Sequence, residues 1–195
     1  NVRYLVVGDD FRFGKDRQGD FSLLQQAGQQ FGFQVVNMHT FAVDQIRVSS
    51  TRIREALKQG DLMLAEKLLG RPYRMSGRVA HGDKRGRTMG FPTANIHLHR
   101  CKVPLSGVYA VQLFGIDGEP IQGVANVGVR PTVSGDNKAL LEVHLLDFDR
   151  DIYGEHVQVH FLHKLRDEHK FADLDELMKQ IKQDCQQAKD YFSAR

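Results

Sequence analysis

The sequence predicts a mixed fold: an incomplete α/β segment over residues 1–70, then an antiparallel β-barrel with a C-terminal helix over 71–195. Three observations carry this. Up to about Gly70, short apolar runs alternate with stretches of helical spacing, the texture of an α/β sheet. From Arg71-Pro72 the chain changes to short alternating stretches separated by Gly, Pro, Asp and Asn, as in small barrels. It closes on one long stretch of helical periodicity.

In the first segment, Tyr4-Leu5-Val6-Val7 is a continuous apolar run, as expected of a strand buried on both faces. Phe21, Leu24, Ala27 and Phe31 recur near helical spacing, and 33–38 reads as a second strand. Ser49 or Ser50 can cap a helix running through Arg52-Ile53-Arg54-Glu55-Ala56-Leu57, and Asp61 can cap another that ends at Gly70; short oxygen-bearing side chains satisfy the free N–H groups of a helix start, and Gly suits its end. In the second segment the candidate strands are 74–80, 94–98, 108–114, 121–127, 140–146 and 157–162. Residues 129–138 read as an exposed loop that orders over bound substrates. Asp173 and Glu176 fit a capping box, and Leu174, Leu177, Met178, Ile181, Ala188 and Phe192 form the core-facing stripe of the last helix.

Bulk properties exclude several classes. Net charge is +3, from 27 basic and 24 acidic residues, too small an excess to indicate nucleic acid. No apolar run approaches the ~20 residues of a membrane span, and the start of the chain lacks a secretory-leader pattern. Cys101 and Cys185 are far apart and read as reduced thiols. A cytoplasmic monomer is expected. His97, His99 and Cys101 alternate, but without a fourth ligand nearby and with a turn at Arg100 they do not make a convincing zinc site.

The chemistry concentrates between Gly82 and Asn95. Three glycines and three basic residues fall within nine positions after a strand, a combination that lets backbone N–H groups and cations face a polyphosphate. Taken alone it is also a solvated hairpin loop. Thr93 and Asn95 lie two apart on a strand, so both leave the same face. A hydroxyl and a carboxamide oxygen are hard ligands suited to Mg²⁺. The loop is neither a Walker A loop nor a protein-kinase Gly loop.

The run Gly86-Arg87-Thr88-Met89-Gly90-Phe91-Pro92-Thr93-Ala94-Asn95 resembles the ATP and metal motif of riboflavin kinases. Gly107-Val108-Tyr109-Ala110, the run from Ala125 to Thr132 and the run from Leu141 to Asp147 match the same family in order, so the likeness covers about 71–192. The resemblance implies a six-stranded Greek-key barrel with a C-terminal helix. It implies phosphorylation of riboflavin to FMN by ATP with Mg²⁺, so that the partners are riboflavin/FMN and ATP/ADP. It places ATP on Gly82, Arg87, Gly90, Thr93 and Tyr153, the metal on Thr93 and Asn95, and the flavin on Arg166, Phe171 and Glu176. Its catalytic carboxylate falls on Glu142. By pattern Glu142 and His144 share one strand face while Leu141, Val143 and Leu145 share the other, so Glu142 is either an ordinary solvent-face residue or the base that accepts the ribityl hydroxyl proton. His144 looks like a supporting residue. Arg166 and Phe171 read equally as a linker that anchors the helix, and Tyr153 as a turn aromatic.

The runs Val7–Lys15 and Val48-Ser49-Ser50-Thr51-Arg52-Ile53-Arg54 are similar to the second half of the FMN adenylyltransferase domain of bacterial bifunctional FAD synthetases. That resemblance implies a Rossmann-like nucleotidyltransferase segment in which Ser49, Ser50, Thr51 and Arg54 bind ATP phosphates at a helix start. The family's His-x-Gly-His element occurs nowhere in the chain. The expectation is therefore a fragment of the bifunctional enzyme in which adenylyl transfer is lost. Two alternatives stand beside it: an intact FAD synthetase with part of its sequence missing, and a non-catalytic flavin- or nucleotide-binding module.

Overall fold

The computed structural model describes residues 2–8, 10–39, 41–81, 90–98, 103–131 and 137–195. The elements are β1 (Tyr4–Gly8), α1 (Phe21–Phe31), β2 (Gln34–Met38), β3 (Ala42–Val43), β4 (Ile46–Arg47), α2 (Ser50–Gln59), α3 (Leu62–Leu69), β5 (Tyr73–Ala80), β6 (Thr93–His97), β7 (Gly107–Phe114), β8 (Ile121–Pro131), β9 (Asn137–Leu145), β10 (His156–Arg166) and α4 (Leu174–Ser193). The chain divides into two compact units, 1–48 and 49–195.

In the first unit β1 and β2 pair in parallel, joined by α1 in a βαβ arrangement. Asp20 caps α1 by accepting from the Leu23 amide at 2.9 Å. β1 is not buried on both faces as its apolar run predicts. Val7 is buried, but Tyr4 and Val6 are 64% and 55% exposed, because among the described residues only α1 packs on this sheet. The β3–β4 hairpin was not foreseen; it turns through Asp44 and Gln45, both at positive φ, as the tightest hairpins require.

In the second unit six strands close a barrel in the order β10-β5-β6-β9-β8-β7, and every pairing is antiparallel. Strands β7, β8 and β9 follow one another while β10 returns beside β7, which is a Greek key. Alternation packs Met75, Val79, Ile96, Tyr109, Val111, Leu113, Leu141, Val143, Val157, Val159 and Phe161 inside. At the start of β7 the chain passes so close to β10 that a Cβ on Gly107 would sit 2.6 Å from the Arg166 carbonyl, and its φ of 114° suits only glycine.

The two helices before the barrel join its core: Ala56, Leu57, Leu62 and Ala65 belong to the same apolar cluster. The contact boundary therefore falls before α2, whereas the change of sequence texture falls after α3. Ser49 caps α2, Asp61 caps α3, and Gly70 ends α3 in the left-handed conformation. α4 lies on the outer wall, where Ala188, Cys185, Tyr191 and Phe192 pack with Ala110, Val124, Leu146 and Leu165. Leu174 does not join this stripe; it is 56% exposed at the first helical position.

In the region expected to be an exposed loop, 129–138, the described residues are strand. Pairing runs on from Gly128↔Leu140 through Pro131↔Asn137, because a hairpin ladder extends wherever both backbones remain extended, whatever the polarity of the side chains. Only 132–136 of that stretch lies outside the described residues.

Candidate functional site

The strands that form the barrel's inner wall also present its outer one. Ala94, Ile96, Ala125, Val127, Leu141 and Val143 face in and are buried. Thr93, Asn95, Asn126, Glu142 and His144 alternate with them, so they face out, and each is partly buried. Register sets them in two rows. Thr93 on β6 stands opposite His144 on β9. Asn95 stands opposite Glu142, which stands opposite Asn126 on β8. Side chains directly opposite one another have Cβ atoms about 5 Å apart, so the Glu142 carboxylate lies between two carboxamides. His144 Nδ1 lies 2.9 Å from the Pro92 carbonyl oxygen, and the Phe91 ring meets the imidazole edge-on at 5.5 Å.

Next to this wall is a cavity of about 510 Å³. Val79, Ala94, Val143 and Leu145 from the barrel interior line it, with Thr93 and Pro92 on one side and the 148–153 segment on the other. That segment is well held. The Tyr153 amide donates to Asp151 at 2.9 Å, the Gly154 amide donates to the Val79 carbonyl at 2.9 Å, and the Tyr153 ring lies 3.9 Å from that of His81. Arg150 pairs with Asp117 and covers the Phe148 ring at 5.0 Å. Thr93 thus belongs both to the cavity rim and to the outer row, and Tyr153 shares that cavity with it. Gly90 turns at φ 78° shortly before β6. Gly82 and Arg87 lie outside the described residues, as do His99, Arg100 and Cys101; no cluster of three metal-type ligands occurs among the described ones.

Arg166, Phe171 and Glu176 gather where β10 leads into α4, but two of the three have firm structural partners. The Arg166 guanidinium grips Asp184 of α4 through Nε at 2.9 Å and Nη2 at 2.8 Å, donates to the Asp167 carbonyl at 3.0 Å, and covers the Phe171 ring at 5.5 Å. Gln180 donates to the same carboxylate at 2.9 Å. Asp184, 2% exposed, is the one buried charged residue among those described. Glu176 completes the capping box: its amide donates to Asp173 at 2.8 Å and its carboxylate accepts from the Ala172 amide at 2.8 Å. Sequence reasoning missed Asp184. The signal was present, since a carboxylate between Ile181, Cys185 and Ala188 sits on the apolar side of its helix. Register runs Arg166↔Val108↔Asn126↔Glu142, three of the six steps around the closed barrel, so β10 and β9 stand opposite one another in the ring.

Ser49, Ser50, Thr51 and Arg54 occupy the beginning of α2. Ser49 Oγ accepts from the Arg52 amide at 3.2 Å, and Ser50 Oγ accepts from Arg54 at 3.2 Å. The first turn of α2 holds no acidic residue, which keeps its positive end electrostatically open to an anion.

The class is therefore a closed Greek-key barrel with a carboxylate, hydroxyl and amide site on its wall and a cavity of mixed polar and apolar lining at its side. Residues 69–192 match the family model for riboflavin kinase, and 1–52 match that for FAD synthetase. The chain belongs to the riboflavin kinase family. It is 54% identical over 194 residues to the bifunctional riboflavin kinase/FMN adenylyltransferase of Haemophilus influenzae. Against the protein of the same name from Escherichia coli K12 it is 53% identical over 191 residues. The alignments take in 100% and 98% of this chain but 63% and 61% of those relatives, so the chain spans about three fifths of their length. A crystal structure described as a macrolide-efflux protein from Streptococcus pneumoniae is 38% identical and superposes with a TM-score of 0.74, over 93% of this chain and 58% of that one.

Proposed function

We propose that the chain transfers the γ-phosphate of ATP to the ribityl 5′-hydroxyl of riboflavin, giving FMN and ADP, within an enzyme whose other activity adenylylates FMN to FAD. The observation that carries this reading is the in-register row Asn95–Glu142–Asn126 beside Thr93 and the cavity. Glu142 accepts the hydroxyl proton as the ribityl oxygen attacks the γ-phosphorus and ADP leaves with the electrons of the broken P–O bond. A positioned base of this kind contributes roughly 10²–10⁴ in rate; alignment and charge neutralisation supply the rest.

Thr93 and Asn95 fit a magnesium ion. They offer two neutral hard oxygens on one face, and Mg²⁺ takes few protein ligands and leaves its other positions to water and phosphate. When bound there, the ion neutralises charge on the β- and γ-phosphates. The cavity, with Phe148, Ile152 and Tyr153 among its lining residues, suits the purine ring, and Gly82, Arg87 and Gly90 are assigned to the phosphates. Phe171 beneath the Arg166 guanidinium offers a flat surface for the flavin ring, with Glu176 in the first turn of the helix that follows. In the adenylyltransferase part, Ser49, Ser50, Thr51 and Arg54 are assigned to ATP phosphates. The protein acts as a cytoplasmic monomer. No helix among the described residues is long and apolar enough to cross a membrane.

The test is a chromatographic time course of both flavins, using the purified 195-residue chain with riboflavin, ATP and Mg²⁺. FMN should accumulate while FAD stays at background, because these residues contain no His-x-Gly-His to stabilise charge at the α-phosphate. FAD forming as fast as FMN would overturn the second half of the proposal. Absence of FMN from a folded sample would overturn the first and favour a binding module. Thr93→Val and Asn95→Ala should each raise the Mg²⁺ requirement without unfolding the chain.

A further inference from the structure

We infer that His144 is a positioning residue for the metal and nucleotide end of the site: by holding the Pro92 carbonyl it sets where β6 delivers Thr93 and Asn95 relative to Glu142. The inference rests on the kinase reading above and starts from what holds this end of β6 among the described residues. Its ladder to β9 has three register pairs, Thr93↔His144, Ala94↔Val143 and Asn95↔Glu142. Its ladder to β5 also has three, and that ladder stops at Asn95. Among the described residues, Thr93 therefore has a strand neighbour only on β9. Pro92, just before it, has no N–H with which to extend either ladder.

The His144 side chain takes over at that point. A carbonyl oxygen can only accept, so Nδ1 carries the hydrogen and donates across 2.9 Å. The Phe91 ring against the imidazole edge secures the residue before that. Glu142 and His144 share one strand and one face, so a shift of β9 carries the carboxylate and the tether together. The base and the two oxygen donors are thus locked to a common reference. With Nδ1 donating to the backbone, the imidazole plane and the Pro92 carbonyl fix one another's position.

Two polar variants separate this from a general structural role. In His144→Asn the side-chain amide nitrogen lies near the position of Nδ1, whereas in His144→Gln it lies near that of Nε2. The probe is Mn²⁺ with saturating ADP, followed by the electron paramagnetic resonance of free Mn²⁺ and read without riboflavin or turnover. His144→Gln should weaken Mn²⁺ binding by about tenfold, the usual size of effect for a residue that orients metal ligands, and His144→Asn by less than about threefold. The Mg²⁺ concentration for half-maximal FMN formation should shift in parallel, with KM for riboflavin nearly unchanged in both. Equal Mn²⁺ affinity in the two variants would overturn the inference. So would a lower melting temperature in His144→Gln with normal Mn²⁺ affinity, or a loss confined to riboflavin KM. A parent chain that binds Mn²⁺ with ADP yet forms no FMN would instead defeat the kinase assignment.

Discussion

Strands β1 and β7 have nearly the same sequence texture and opposite surroundings. Tyr4-Leu5-Val6-Val7 and Val108-Tyr109-Ala110-Val111 are both unbroken apolar runs. In the barrel, Tyr109 and Val111 fill the interior while Val108 and Ala110 are covered on the outer side, all four at 4% exposure or less. In the first unit, Tyr4, Val6, Val36 and Met38 share one face of the β1–β2 sheet by register, and each is at least 43% exposed. A barrel gives every strand two neighbours and abolishes edges; the described part of the two-stranded parallel sheet has one pairing and one covering helix. An apolar run thus permits double burial, and a second packed layer is what produces it.

The difference can be broken or sharpened by experiment. The largest effect belongs to the barrel's outer wall: Glu142→Gln should lower the rate of FMN formation by at least roughly 10², with an unchanged melting temperature, because the side chain does not enter the core. Near-normal turnover would leave the barrel as a scaffold only. Hydrogen exchange compares the two units directly. Amides of β1 and β2 should exchange on the order of 10³-fold faster than those of β7 and β8, since local opening of a sparsely packed sheet costs far less than opening a core. Comparable protection would mean that the bare face is covered in solution.

A third experiment asks how firmly α4 belongs to the barrel. Asp184→Ala removes one partner of a buried ion pair and leaves Arg166 uncompensated, which should cost about 3 kcal/mol in urea unfolding. A change too small to measure would show α4 held by its apolar stripe alone. The smallest effect concerns acid. Burial, with Arg74 and Arg71 nearby, lowers the pKa of His160 below its ordinary 6.5. The unfolded chain therefore binds the proton more readily. The contribution of His160 to stability is complete above pH 6.5 and is lost as pH falls through the lowered value. Replacing it in His160→Gln should flatten that part of the stability profile and so preserve in acid the gap between the units; an unchanged slope would assign the acid sensitivity to other groups.

The sequence by itself determined the six strands, the last helix with its Asp173–Glu176 cap, the starts of α2 and α3, and the face shared by Thr93 and Asn95 and that shared by Glu142 and His144. Those features are local: period-two alternation, helix periodicity and capping are written within a few residues. Partners distant in sequence were decided only by the tertiary structure. Nothing near Asn95 announces that Glu142 stands opposite it, or that Asn126 flanks that carboxylate, because register depends on how the whole ring closes. Arg166 read equally as a flavin contact and as part of a linker, and nothing local announced Asp184, eighteen residues on in a different element, as the partner of its guanidinium. Residues 129–138 read as a loop because their side chains are polar and turn-forming, but strand pairing is made by the backbone and extends to Pro131 and Asn137. Side-chain chemistry could name the reacting groups, while closure of the barrel set which of them meet.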